Sequence, residues 1–149
     1  MTRPSGIVVR AMEPGDATAV AALCGTLGYH ATVPEVMTRF TALASSARDQ
    51  VLVAGDDGSV VGWVHAFVSM LIESDPFVEI GGLVVSESMQ RRGVGRLLMA
   101  QTEAWALAHG CREVRLRSNI VRAGAHRFYE SIGYRTLKTQ YTFVKTLAR

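Results

Sequence analysis

The chain has 149 residues, 48% of them hydrophobic and 19% charged, a balance that excludes a disordered chain and suits one packed domain over residues 1–149. Its formal charge is +3 with acids and bases interspersed, and no basic stripe with interleaved aromatics argues for a nucleic-acid partner. Met1 to Gly6 lacks the apolar core of a signal peptide and no apolar run is long enough to span a bilayer, so the expected setting is the cytoplasm with no membrane partner.

Taken in chain order, Ile7 to Arg10 reads as a short strand. Pro14-Gly15-Asp16 then starts a helix with Asp16 as its cap, Val20, Cys24 and Leu27 recur at helical spacing, and Gly28 ends it. Thr32 to Glu35 has the spacing of a capping box, with Pro34 in the first turn. Val36, Met37, Phe40, Leu43 and Ala44 follow as one apolar face. Val51 to Ala54 and Ser59 to Val68 are β-rich, and Gly55-Asp56-Asp57-Gly58 between them is a hairpin signal. After the polar segment Glu73 to Pro76, Val78 to Val85 reads as another strand.

Gly93 to His109 is a long helix with Val94, Leu97, Leu98, Trp105 and Ala108 on one side and Gly110 as its stop. Glu113 to Arg117 alternates as a half-buried strand does, and Arg122 to Ser131 reads as a short helix stopped at Gly133. Two strand-like runs close the chain, Tyr134 to Lys138 and Gln140 to Lys145. The expected fold is a mixed α/β domain, a central mixed sheet flanked by about four helices. Cys24 and Cys111 have neither metal nor redox spacing and read as reduced, mostly buried thiols. Met37, Met70 and Met99 read as core fillers, and no cluster of His, Cys and acid implies a metal.

Chemistry concentrates after Val85. A strand, a short polar turn, the loop Gln90-Arg91-Arg92-Gly93-Val94-Gly95 and a helix follow one another. The opening turn of a helix leaves backbone N–H groups without partners, and the helix dipole favours an anion there. Gly93 and Gly95 let phosphate oxygens approach the backbone, while Arg91, Arg92 and Arg96 add positive charge. Two glycines one apart at a helix start also occur for turn geometry alone. The Lys-Ser/Thr pair of a P-loop is missing, and the third glycine and later acid of a dinucleotide fold do not fit.

Through that loop and the segments around it, the chain resembles the GNAT family, the GCN5-related N-acetyltransferases. The family's coenzyme loop reads Gln/Arg-x-x-Gly-x-Gly/Ala, matched here by Gln90 to Gly95. Its preceding strand ends near Leu-x-Val, matched by Leu83-Val84-Val85, and it then shows Asn, Ala, Phe-Tyr-Glu and Gly-Phe/Tyr. Those are Asn119, Ala125, Phe128-Tyr129-Glu130 and Gly133-Tyr134. The match is strongest from Val78 to Tyr134.

The resemblance implies acetyl-CoA as co-substrate. Backbone amides from Gln90 to Arg96 (Gln90, Arg91, Arg92, Gly93, Val94, Gly95, Arg96) would hold the pyrophosphate. Leu83, Val84 and Val85 would pair with the pantetheine arm, the Leu83 amide would polarise the thioester carbonyl, and Asn119 would sit near the pantetheine. Tyr129 falls at the family's general-acid position; a ring that only packs in the core is the alternative. Glu79 is the candidate base, since an acid inside an apolar strand is costly unless paired or solvated; a salt bridge to a neighbouring arginine is its alternative. His65, on the strand Trp63 to Phe67, is a second candidate for the base, against a purely structural histidine. A water chain could also carry the proton.

The implied reaction is direct attack of a primary amine on acetyl-CoA in a ternary complex. Glu73, Asp75 and Glu79 would make the acceptor side acidic, which favours a small cationic amine or a peptide end. The resemblance also allows a homodimer paired through C-terminal strands. Two other readings stay open: an acyl-CoA-binding sensor with little or no catalysis, and a partner-binding domain that keeps the fold alone.

Overall fold

A computed structural model describes residues 6–118 and 123–148. They fall into two compact units, Met1–Arg117 and Ser118–Arg149.

The first unit is built on a five-stranded sheet in the order β1-β2-β3-β4-β5, with β1 Ile7–Ala11, β2 Asp49–Asp56, β3 Ser59–Ser69, β4 Phe77–Val85 and β5 Val114–Arg115. β1 to β4 pair antiparallel in chain order, and β5 joins β4 in parallel, which makes the sheet mixed as expected. The β2–β3 hairpin closes on Asp57 and Gly58, both at positive φ (48° and 84°). That is the turn whose twist matches antiparallel strands, and it fixes the register. Two irregularities follow. Val61 is an extra residue on β3, since Gly55 faces Val60 and Ala54 faces Gly62. Gly81 is an extra residue on β4, since His65 faces Gly82 and Ala66 faces Ile80. An extra residue of this kind bends its strand and re-aims neighbouring side chains.

Three helices cover this sheet. α1 Ala17–Thr26 and α2 Val33–Ala44 lie on one face, where Met12, Ala17, Val20, Val36 and Val53 form a buried cluster with Val51 and Trp63 against it. α3 Val94–Ala108 lies on the other; Gly62 there sits under Leu98 and Val94, and an added Cβ would stand 3.3 Å from each. The core stripe of α3 is Val94, Leu98, Met99, Thr102 and Ala106. It is rotated from the expected one, and Ala108 is exposed. Thr102 is buried because its hydroxyl donates to the Leu98 carbonyl, 2.9 Å. Burial of each Val or Leu in this core stabilises by about 1.5–3 kcal/mol. α3 stops where Cys111 N–H reaches back to the Ala106 carbonyl, 2.9 Å, across left-handed Gly110.

Local expectations met mixed outcomes. The capping box at α2 is present: Glu35 N–H donates to the Thr32 hydroxyl, 3.2 Å, and Thr32 N–H to the Glu35 carboxylate, 2.9 Å. Asp16 does not cap α1 through its side chain. Its carboxylate instead takes two bonds from the Arg10 guanidinium, 2.7 and 2.9 Å, and one from Glu13 N–H, 2.8 Å. The bidentate charged partner and the Glu13 amide of the preceding turn together occupy the carboxylate oxygens. Met70 is exposed rather than a core filler, because β3 ends at Ser69 and the chain leaves the sheet there. Cys111 is buried, while Cys24 is partly buried and burial pushes its thiol up.

In the second unit, α4 spans Ala123–Ser131 and ends at left-handed Gly133, where Tyr134 N–H donates to the Tyr129 carbonyl, 3.0 Å. The strands expected over Tyr134 to Lys138 and Gln140 to Lys145 are corrected. Those residues form no ladder among the described residues, and Tyr141, Phe143 and Val144 are about nine-tenths exposed (89%, 91% and 90%). An alternating pattern makes a strand only when an edge pairs with it.

Candidate active site

The loop expected to hold the coenzyme grows directly out of β4. Leu83, Val84 and Val85 close that strand, paired on one side with Val64, Trp63 and Gly62 of β3. On the other side β5 meets β4 at Val78↔Val114 and Glu79↔Arg115. From Ile80 to Val85 that outer edge has no further ladder among the described residues, and an unpaired strand edge is where an extended ligand can add its own backbone bonds.

After β4 comes a 3-10 turn at Glu87–Met89, then Gln90, whose side-chain amide donates to the Val85 carbonyl, 3.4 Å. Arg91 takes a left-handed backbone (φ 66°), unusual for a residue with a side chain. Gly93 takes the same hand (φ 83°) as the N-cap of α3, and no side chain caps this end. The first bond inside the helix runs from Leu97 N–H to the Gly93 carbonyl, 3.0 Å. The amides of Val94, Gly95 and Arg96 precede it and are offered outward, at the positive end of the dipole. Arg91 and Arg92 are exposed beside them, and Val94 is buried, which anchors the turn.

A second group of polar side chains lies on the α1–α2 face of the sheet. Directly opposed residues point to one face, so the pairs Asp49↔Phe67, Val51↔His65 and Phe67↔Glu79 put Asp49, His65 and Glu79 on a common surface. His65 Nε2 and Asp49 Oδ1 are 2.7 Å apart with both side chains mostly covered, 21% and 16% exposed. Glu79, itself 20% exposed, meets Arg117 at 3.8 Å. Arg117 is 73% exposed, so this ion pair is loose and contributes about 0–1 kcal/mol. Arg115 lies over the Phe77 ring, 4.0 Å from its centroid.

Gly81 and Gly82 make this crowding feasible. A Cβ at Gly81 would stand 2.6 Å from His65 Nδ1, and one at Gly82 would stand 2.6 Å from the Trp63 ring. Neither glycine has a positive φ, so both are required for space. Sequence reasoning missed this pair of glycines and missed Asp49. Asp49 lies before the expected start of β2, and the unshifted register from the Asp57-Gly58 turn would set it opposite Ala66; the extra residue Val61 moves it opposite Phe67, diagonal to His65.

Tyr129 is half-buried on α4, edge-on to Phe128 with ring centroids 5.2 Å apart, and 6.1 Å from the Tyr134 ring. Asn119 lies outside the described residues.

The open strand edge leading into an uncapped helix start agrees with the comparison to known families. The model of the acetyltransferase (GNAT) family matches residues 20–134. The chain belongs to that family. It is an acetyl-CoA-dependent N-acetyltransferase, and its mixed sheet with four helices is the GNAT fold. Among relatives of this GNAT chain, an aminoglycoside N(6′)-acetyltransferase type 1 of Stenotrophomonas maltophilia is 31% identical over 136 residues, 87% of either chain. Another aminoglycoside N(6′)-acetyltransferase type 1, of Serratia marcescens, is 26% identical over 70% of this chain and 75% of its own. Among solved structures, the aminoglycoside N-acetyltransferase AAC(6′)-Iy in complex with CoA superposes with TM-score 0.86 over 99% of each chain at 19% identity. Among the described residues, no helix is long and apolar enough to cross a membrane.

Proposed function

We propose that this GNAT enzyme, acting as one catalytic domain over residues 1–149, moves the acetyl group from acetyl-CoA to a primary amine of a small polycationic acceptor, by direct attack in a ternary complex. The observation that carries the reading is the strand edge Ile80 to Val85 running into the uncapped start of α3. Leu83, Val84 and Val85 would hold the pantetheine arm. The backbone from Gln90 to Arg96 would take the pyrophosphate, and Asn119 would lie along the arm. The Leu83 amide would meet the oxyanion of the tetrahedral intermediate.

The acceptor is assigned as cationic on two grounds. Asp49 and Glu79 stand on the α1–α2 face, and the loop that feeds β4 carries Glu73 and Asp75. The two relatives described above carry names of aminoglycoside acetyltransferases. Glu79, held loosely, can hold the ammonium group of the acceptor and is a candidate to take its proton. Tyr129 is assigned as the acid that protonates the departing thiolate. A phenol keeps its proton at neutral pH and so has one to give.

The test is thiol release from acetyl-CoA with kanamycin A, spermidine, free amino acids and short peptides. A response confined to the polyamines and aminoglycosides is the expected result. A response to peptides alone would replace the small cation with a peptide end. Acetyl-CoA binding with silence across the panel would favour a sensor.

A further inference from the structure

We propose that His65, held by Asp49, is the group that takes the proton from the acceptor amine, with Glu79 left to bind the ammonium group. This deepens the proposed function and rests on it.

His65 Nε2 faces Asp49 Oδ1 at 2.7 Å. A carboxylate only accepts, so Nε2 carries a hydrogen, and in the neutral ring Nδ1 is the nitrogen that keeps the lone pair. Nδ1 accepts no hydrogen bond among the described residues. It faces the extra residue Gly81 on β4, close enough that an added Cβ would sit 2.6 Å away. Gly81 is exposed, so the lone pair lies beside open backbone rather than inside the core. His65 stands opposite Gly82, and the next residue is Leu83, whose amide is assigned to the thioester carbonyl. The ring thus stands one residue along the strand from the amide assigned to the thioester carbonyl, a placement that would let it reach the amine directly or through one water.

The charges facing His65 favour this role. From β2 comes Asp49, and from β4 comes Glu79, opposite Phe67, whose ring centroid is 5.6 Å from that of His65. Arg115 and Arg117 reach this face from β5 and its end, Arg117 already engaged with Glu79. On the helices above, α1 carries no charged side chain and Cys24 is its titratable group, while Glu35 and Arg39 of α2 engage one another at 3.6 Å. The carboxylate in contact with the ring is Asp49, and it stabilises the imidazolium that forms. Glu79, by contrast, lies two residues from Gly81 along β4 and meets Arg117 at 3.8 Å.

The steps balance. The acceptor ammonium gives one proton to Nδ1, which later passes it to solvent. The freed amine nitrogen forms the bond to the acetyl carbon and the carbon–sulfur bond breaks. The second amine proton leaves to solvent, while the thiolate takes a proton from the Tyr129 phenol, which solvent restores. The net products are the amide, coenzyme A thiol and one proton.

The test is the pH profile of kcat/KM for thiol release with kanamycin A, for wild type, His65→Gln, Asp49→Asn and Glu79→Gln. Acetyl-CoA affinity and thermal unfolding are measured on each. His65→Gln should lose about 100-fold in kcat/KM and lose the ascending limb of the profile, with acetyl-CoA affinity within about twofold. Asp49→Asn should shift that limb to lower pH, a change a merely structural pair would not make. Glu79→Gln should raise KM and keep the limb. Should His65→Gln fail to bind acetyl-CoA, the limb in Asp49→Asn decides, since its ring remains. An unmoved limb in both variants overturns the proposal, as does a limb lost in Glu79→Gln alone. Wild type silent with kanamycin A and every other amine overturns the proposed function, and this inference with it.

Discussion

Gly81→Ala is a demanding test of the acceptor-side geometry. The new methyl carbon would stand 2.6 Å from His65 Nδ1, 3.2 Å from Cε1 and 3.4 Å from Cγ. Ordinary contact needs about 3.4 Å or more, so the ring must retreat by about 0.8 Å. Straight retreat is blocked. The other ring nitrogen is already 2.7 Å from Asp49 Oδ1, so retreat from β4 drives the ring into that carboxylate. The remaining escape is another side-chain rotamer, which gives up the bond to Asp49. Losing a charged hydrogen bond costs about 1.5–3 kcal/mol, and off-rotamer strain would add about 0.5–1.5 kcal/mol if the ring were trapped instead. We expect a stability loss of about 2 kcal/mol in urea unfolding and a fall of about 100-fold in kcat/KM. The decisive control is the cycle with His65→Ala. Without the ring there is nothing to strike, so Gly81→Ala should cost little in that background. Full additivity of the two substitutions, or wild-type turnover in Gly81→Ala, would refute the steric argument.

Four further outcomes are expected. Tyr129→Phe should cut turnover about 100-fold, the lower end for a general acid, with acetyl-CoA affinity by titration within about twofold of wild type. Gly93→Ala should destabilise by about 1–2 kcal/mol in chemical unfolding, because φ is 83° there, and should weaken acetyl-CoA binding by disturbing the first-turn amides. Thr32→Ala removes the oxygen that accepts Glu35 N–H and should cost about 1 kcal/mol by the same measurement. Asp16 supplies a pH dependence. The hydrogen bond from Arg10 holds its carboxyl below the ordinary range. Stability from this pair is therefore present above the unfolded carboxylate value, about 3.9, and is lost as pH falls through the lower folded one. Asp16→Asn should flatten that part of the acid unfolding curve; an unchanged curve would remove the pair as its cause.

The sequence by itself determined the features written in neighbouring residues. The capping box at Thr32 and Glu35, the Asp57-Gly58 turn and the glycine stops at Gly110 and Gly133 are local backbone requirements, and each was met. The loop proposed to hold the coenzyme was legible as a helix start for the same reason: Gln90 to Gly95 is contiguous, and a helix start offers its amides whatever packs around it. Asp16 was misassigned because a cap is a local inference, while its partner Arg10 comes from the preceding strand. The closing runs Tyr134 to Lys138 and Gln140 to Lys145 alternate like strands, yet alternation states a preference and cannot supply an edge to pair with.

The polar cluster proposed as the acceptor side could be read only from the tertiary structure. Asp49, His65, Gly81 and Glu79 are drawn together by three strands, and their meeting depends on register. The extra residues Val61 and Gly81 shift that register by one position each. A shift of one residue moves every later side chain to the opposite face of a sheet, and neither bulge is announced by composition or periodicity. The bond between His65 and Asp49 therefore appears only once the strands are laid side by side.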